Sequence, residues 1–141
     1  MQRTLAICKP DCVARQLTGQ VLARIEAAGF RIVALKMIRM SPEQAEGFYT
    51  VHKGKPFFPE LMKFMTEGPV VVAVLEKEGA VEAWRALMGA TNPTNAEPGT
   101  LRRDLAESMT RNVVHGSDSP ENACREIAFF FSESELLGAA K

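Results

Sequence analysis

Charge of either sign is missing from the balance of this 141-residue chain. Lys plus Arg number 17 and Asp plus Glu 17, for a formal net charge of +0. No overall field therefore favours nucleic acid or an anionic membrane, and only local basic patches could. Long apolar runs are also missing, so nothing reads as a membrane span. The N-terminal MQRTLAICKPD has one short apolar run that meets Lys9-Pro10-Asp11 directly, which is not the pattern of a signal peptide. Cysteine is scarce. Cys8, Cys12 and Cys124 are an odd set without CxxC spacing, which suggests free thiols in a reducing cytoplasm. The two histidines, His52 and His115, make no zinc pattern with them. All three cysteines read as packing residues. Aromatics are only 7% of the chain, and the apolar runs RTLAICK and VVVAVL contain none. A sheet that stacks RNA bases needs aromatics there. Two phosphate-binding devices are absent as well: GxGxxG and GxxxxGK[ST].

Apolar content is present, at 46%. That excludes disorder as the default and, at this length, provides one domain with a real core, residues 1–141. Arg3–Lys9 reads as a strand stopped by Pro10. Asp11–Gly19 reads as a connection. Gln20–Ala28 has Val21, Leu22, Ile25 and Ala28 on one helical face, ended by Gly29. Phe30–Met40 is a long strand. Ser41-Pro42 opens a short helix toward Tyr49, and Pro59 another over Glu60–Thr66. Val70–Leu75 is a continuous apolar, central strand. Gly79–Met88 is a helix with Val81, Trp84, Leu87 and Met88 inward. Gly89–Asp104 is long and irregular, and such a loop in a compact domain is usually functional or disordered. Leu101–Met109 reads as a turn or short helix before the strand at Asn112.

Chemistry concentrates in Arg111–Glu126, RNVVHGSDSPENACRE. Val113 and Val114 read as the end of a buried strand, with His115 where that strand stops. Gly116 suggests a tight turn with unusual backbone angles. Ser117, Asp118 and Ser119 are all helix-capping types, and Pro120 makes Ser119 the expected cap. A helix then presents Ala123, Ile127, Phe130 and Phe131 as its apolar stripe. An imidazole is thus set beside a helix N-terminus, which favours phosphate. Histidine there can act as a nucleophile. Glu126, nearly two turns into the helix, should border the buried side and reach one imidazole nitrogen at about 2.6–3.2 Å.

The order of elements contains βαββαβ. The expected class is α/β, more closely an α+β sandwich of ferredoxin-like kind. It has a four-stranded, mainly antiparallel sheet with helices packed on it. The strict alternation of a doubly wound fold is absent.

Asn112-Val-Val-His-Gly-Ser-Asp-Ser119 is similar to the active-site motif of the nucleoside diphosphate kinases, and the resemblance covers essentially the whole chain. Ile7-Cys-Lys9-Pro-Asp11, His52-Lys-Gly-Lys-Pro-Phe57-Phe58, Gly68-Pro-Val-Val71, Met88-Gly-Ala-Thr91-Asn-Pro93 and Pro98-Gly-Thr-Leu-Arg102 match other family segments. Lys55 stands where arginine is commoner. Arg103 and Leu105 replace the commoner small and aromatic residues.

The resemblance implies a two-step, ping-pong phosphoryl transfer. A nucleoside triphosphate gives its γ-phosphoryl to His115, and the phosphohistidine gives it to a nucleoside diphosphate. Lys9, Arg85 and Arg102 would hold phosphates, with the Thr91 hydroxyl on the same oxygens. Tyr49 would hydrogen-bond near the imidazole or the transferring phosphate. Asn112 would contact the ribose, Phe57 would stack on the base, and Glu126 would orient His115. Gly116 and Ser117 would support the site. Mg²⁺ would be bound mostly by phosphates and water, with no dedicated protein cage. A homo-oligomer, tetramer or hexamer built on a dimer, is implied too, in the cytoplasm and without a membrane or nucleic-acid partner. His52 reads as a surface residue. Two rivals compete with this reading: an RNA-binding module, and a phosphohistidine carrier that serves a protein. The carrier accounts for His115 but not for Phe57, Asn112 or the long loop.

Overall fold

The computed structural model describes residues 1–138. Strands β1 (Gln2–Cys8), β2 (Arg31–Ile38), β3 (Val70–Lys77) and β4 (Val114–Gly116) form one sheet in the order β2-β3-β1-β4. Every neighbouring pair is antiparallel. With a helical connection between β1 and β2 and another between β3 and β4, this is the ferredoxin-like topology expected from the element order.

Side chains alternate between the two faces of a strand, and here both faces are covered. Leu5 and Ile7 of β1 with Val70, Val72 and Val74 of β3 join one core. Helices α3 (Pro42–Phe48), α4 (Phe58–Met65) and α7 (Pro120–Phe130) supply Phe48, Phe64 and Phe130 to it. Ala6, Cys8, Val71, Ala73 and Leu75 face the other core. Helices α2 (Thr18–Ala27) and α5 (Ala80–Met88) cover that side with Val21, Ile25, Trp84 and Met88. The unbroken apolar run of β3 is therefore the signature of a strand buried on both faces.

Several boundaries differ from the sequence reading. The expected connection Asp11–Gly19 is largely helical, because Pro10 at the first helical position starts a short helix, α1 (Pro10–Ala14), and α2 already begins at Thr18. The irregular segment after Gly89 holds a 3₁₀ turn at Pro93–Asn95, and the turn or short helix expected over Leu101–Met109 is a short helix, α6 (Leu101–Leu105), capped by the Thr100 side chain. Phe30–Met40 shortens to Arg31–Ile38. Ser119 does cap α7, accepting a bond from the Asn122 amide at 3.1 Å. Cys8 and Cys12 are buried, but Cys124 is exposed. Its neighbour Ala123 points inward, and one residue further along a helix turns the side chain about 100° away.

The largest departure concerns β4. His115 lies within the strand, opposite Ile7, and Gly116 pairs with Ala6. The unusual backbone falls on Val113, with φ 64°, and not on Gly116. Glycine is required at 116 for space. A Cβ there would lie 2.5 Å from Trp84 Cδ1 and 2.6 Å from Met88 Cε.

Among the described residues no helix is long and apolar enough to cross a membrane.

Candidate active site

A half-open cavity of about 570 Å³ lies over the β4 end of the sheet. Lys9 at the end of β1, His115 on β4 and Arg102 on α6 lie on its wall. Tyr49, Phe57, Arg85, Thr91, Asn112 and Glu126 join them from six other places in the chain, and Gly116 neighbours His115 on β4. Ser117 is fully buried behind the site.

His115 Nε2 is 3.0 Å from Glu126 Oε1, within the expected range. Ser117 Oγ donates to the same carboxylate oxygen at 2.8 Å. Arg125 stands further off, 3.8 Å from Oε2. The imidazole is flanked edge-on by Phe48 at 5.3 Å and Tyr49 at 6.1 Å between ring centroids. Trp84 Nε1 donates to the His115 carbonyl at 3.1 Å. Ring, carboxylate and backbone are thus all held. Burial lowers the pKa of His115, Glu126 opposes that, and the charges of Lys9 and Arg102 reinforce it. The ring is therefore neutral at pH 7 with an unprotonated nitrogen. The bond to Glu126 occupies Nε2, which makes Nδ1 the nitrogen available to an electrophile.

Lys9 is buried, and its ammonium donates to Asn112 Oδ1 at 2.7 Å. Burial and the charge of Arg102 bring its pKa down to about 8, against the attraction of Asp11. Asn112 Nδ2 also donates, to the Thr91 carbonyl at 3.3 Å. Arg102 donates to three backbone carbonyls: Asn112 at 3.4 Å, Gly89 at 3.1 Å and Val114 at 2.8 Å. It therefore staples the irregular segment to β4 as well as lending positive charge. Burial, then Arg85, lowers its pKa to about 10, so it stays charged.

Tyr49 makes no hydrogen bond to the imidazole. Its hydroxyl is buried without a partner, and burial followed by the charge of Glu126 raises its pKa. A buried, unpaired hydroxyl on a pocket wall is one that a ligand oxygen would satisfy. Phe57 is not a core aromatic but 47% exposed. His52 is not a plain surface residue. It lines the cavity, stacks on Tyr49 at 6.2 Å and lies 5.3 Å from the Phe57 ring. Two further wall residues had no signal in the sequence: Met109, 59% exposed, and Val51, 66% exposed. Exposed apolar groups beside an exposed aromatic form a platform suited to a flat ring.

A neutral histidine braced by a carboxylate, in a pocket walled by buried cations, is the equipment of a phosphoryl-transfer enzyme. Known proteins agree. The family described as Nucleoside diphosphate kinase matches residues 2–136. A nucleoside diphosphate kinase of Maricaulis maris is 60% identical over 138 residues, 98% of this chain and 99% of the relative. One from a Geobacter species is 61% identical over 137 residues, 97% of this chain and 100% of the relative. The crystal structure of the Aquifex aeolicus nucleoside diphosphate kinase superposes with a TM-score of 0.94 at 45% identity, covering 96% of this chain and 99% of that one. The Halobacterium salinarum nucleoside diphosphate kinase in complex with CDP gives 0.95 at 40% identity, covering 99% and 93%. The chain belongs to the nucleoside diphosphate kinase family.

Proposed function

We propose that this protein moves the γ-phosphoryl group of a nucleoside triphosphate to a nucleoside diphosphate through phosphorylated His115, as one catalytic domain. The observation that carries the reading is the His115–Glu126 bond. It engages Nε2 and leaves Nδ1 to act as nucleophile. Nδ1 attacks the γ-phosphorus, the bond to the β-bridging oxygen breaks, and the diphosphate leaves. A second diphosphate then attacks the phosphohistidine with its terminal oxygen, the P–N bond breaks, and a triphosphate leaves. One pocket serves both halves.

Phosphoryl transfer asks mainly for positioning and charge. Lys9, Arg85 and Arg102 supply cations for the phosphates. The Tyr49 and Thr91 hydroxyls supply donors to phosphoryl oxygens. Asn112 keeps a second N–H free for the ribose. Phe57 offers its exposed face to the base. Gly116 and Ser117 act behind the site, one by making room for Trp84 and the other by holding Glu126.

A nucleotide kinase family is consistent with a divalent cation, and we assign Mg²⁺. Among the described residues no three His, Cys, Asp or Glu side chains gather to hold a metal. Mg²⁺ gives up water reluctantly, so substrate phosphates would be its main ligands. Asp118 could accept from a metal-bound water. It lines the pocket, and its pKa is lowered, first by the bond from Asn122. When bound, the cation neutralises charge on the β- and γ-oxygens.

The edge strand β2 exposes Leu35 (48%) and Met37 (60%). Exposed apolar side chains on an edge strand support the proposed homo-oligomer. Free thiols support a cytoplasmic location.

The test is a coupled assay of transfer from ATP to another diphosphate. His115→Ala should abolish both turnover and the acid-labile phosphoenzyme. Phosphoenzyme that fails to return ATP when given ADP would favour a carrier over a kinase.

A further inference from the structure

Lys9-Pro10-Asp11 ends β1 and opens α1, and Asp11 is 3% exposed. A carboxylate so buried needs donors. One of its oxygens, Oδ2, accepts the Val113 amide N–H at 3.1 Å. The other has no hydrogen-bond partner. Burial raises the pKa of Asp11, against Val113 N–H, the amides of its own first turn and the charge of Lys9.

Val113 is the unusual residue at the other end of that bond. Only Gln16 and Val113 combine a side chain with positive φ among the described residues, and Gln16 sits in an exposed turn. Val113 is β-branched and fully buried at φ 64°. For such a residue this conformation is a genuine outlier, which persists only where its surroundings impose it. The Val114 N–H donates to the Asn112 carbonyl at 2.8 Å, so Val113 is the centre of a γ-turn of the rare positive-φ kind. Its carbonyl accepts the Lys9 N–H at 2.8 Å. Both polar groups of Val113 are thus taken by the segment Lys9–Asp11. On either side of the turn stand Asn112, bonded to the Lys9 ammonium, and His115, two residues on.

We propose that Asp11 is a positioning residue: its carboxylate holds Val113 in the left-handed turn, and the turn sets Asn112 and His115 against Lys9. The inference rests on the phosphohistidine reading of the site. Without the acceptor, a buried N–H is orphaned and nothing holds φ positive, so Val113 moves toward the ordinary β region. His115 then shifts against the phosphate subsite, and a displacement of about 1 Å can cost about 10²-fold in rate.

The experiment compares Asp11→Asn, Asp11→Ala, and Asp11→Ala combined with Val113→Gly. Two quantities are read: single-turnover phosphorylation by ATP, and hydrogen exchange of the Val113 amide. Thermal unfolding monitors the fold of each variant. Asparagine keeps one carbonyl acceptor for the Val113 N–H, loses the charge, and can place its NH2 where Oδ1 has no hydrogen-bond partner. It should retain most of the rate and the amide protection. Alanine should slow phosphorylation by about 10²-fold, with a far smaller change in nucleotide KM, and expose the Val113 amide. Glycine at 113 adopts positive φ without a clamp and should restore much of the rate lost in Asp11→Ala.

Three results would overturn the clamp. Asp11→Ala could react at the native rate. Asp11→Asn could lose the rate while keeping the Val113 amide protected, which would mean that charge beside Lys9 is what matters. The double variant could fold and yet stay as slow as Asp11→Ala. Should Asp11→Ala not fold, the two readouts on Asp11→Asn still decide. A His115→Ala protein that still forms phosphoenzyme would remove the functional reading instead, and exchange at Val113 would then judge the clamp alone.

Discussion

Glu126 Oε1 receives two side chains at once, His115 through Nε2 at 3.0 Å and Ser117 through Oγ at 2.8 Å. The serine fixes the carboxylate and the carboxylate fixes the ring. Glu126→Gln keeps the shape but can offer an N–H to Nε2, which selects the tautomer with the proton on Nδ1. That tautomer cannot attack phosphorus. The rate of phosphoenzyme formation should fall by about 10²- to 10⁴-fold, the scale seen when a histidine's orienting carboxylate becomes an amide. Nucleotide affinity should hardly move. Single-turnover kinetics and a binding isotherm for a diphosphate separate the two, and a rate near native would refute the orienting role.

Glu126 was legible before any coordinates. A cap at Ser119, Pro120 behind it and a 3.6-residue period place its side chain on the inward face, and that is where it lies. The central place of β3 is legible for a similar reason, since its run reads as apolar on both faces. Val113 was not. In RNVVHG a buried valine reads as strand, and the bond that forces it left-handed comes from Asp11, 102 residues away. Gly116 is legible as a special position, but not for its reason. Its need for glycine comes from Trp84 across the fold and not from a local turn. His52, Val51 and Met109 had no local signal, because only tertiary packing brings them to the pocket wall.

The pH profile should carry two of these groups. In the proposed mechanism the nucleophile works as neutral imidazole, and the pKa of His115 is lowered, chiefly by burial. A lowered pKa keeps the ring neutral to more acid pH, so the acid limb of kcat/KM should lie below the ordinary histidine value of about 6.5. Lys9 acts as a cation, and burial brings its pKa down to about 8. The alkaline limb of kcat/KM should therefore begin near pH 8. Bound phosphates favour the ammonium, so kcat itself should fall later than kcat/KM. Lys9→Arg should remove that alkaline limb, at whatever cost in rate, because arginine stays charged. A flat kcat/KM from pH 7 to roughly 10 would show that no cation titrating near 8 governs phosphate binding.

Gly116→Ala tests the space behind the nucleophile. The new Cβ would sit 2.5 Å from Trp84 Cδ1 and 2.6 Å from Trp84 Nε1. Trp84 is fully buried and cannot swing away. Either the indole or β4 must move, and moving the indole also breaks its bond to the His115 carbonyl. Overpacking of this kind costs about 1–3 kcal/mol. The midpoint of urea unfolding should drop accordingly, and turnover should drop with it because His115 rides on the displaced strand. A variant as stable and as active as the native protein would mean that the Trp84 wall is softer than its burial indicates.

Phe57 tests how the base is held. Its ring is 47% exposed, lies 5.3 Å from His52 and has Lys55 Nζ 5.8 Å from its centroid. It sits on the entry to α4, away from the elements that carry His115, Lys9 and Arg102. Losing it should therefore weaken binding without touching the reacting atoms. Stacking on an aromatic is worth about 1–3 kcal/mol per base, so Phe57→Ala should raise the Kd of diphosphates by roughly 5- to 150-fold. Every base has a π-face, so the penalty should be of one size for adenine, guanine, cytosine and uracil nucleotides. Native kcat/KM values should likewise span a modest range across bases. Phosphorylation at saturating ATP should stay close to native, because the cations proposed to hold the phosphates lie at the end of β1 and on α5 and α6. Titrating the four diphosphates against the native and alanine proteins gives both quantities. A penalty confined to one base would point to edge recognition by a polar neighbour and would remove stacking as the main contact.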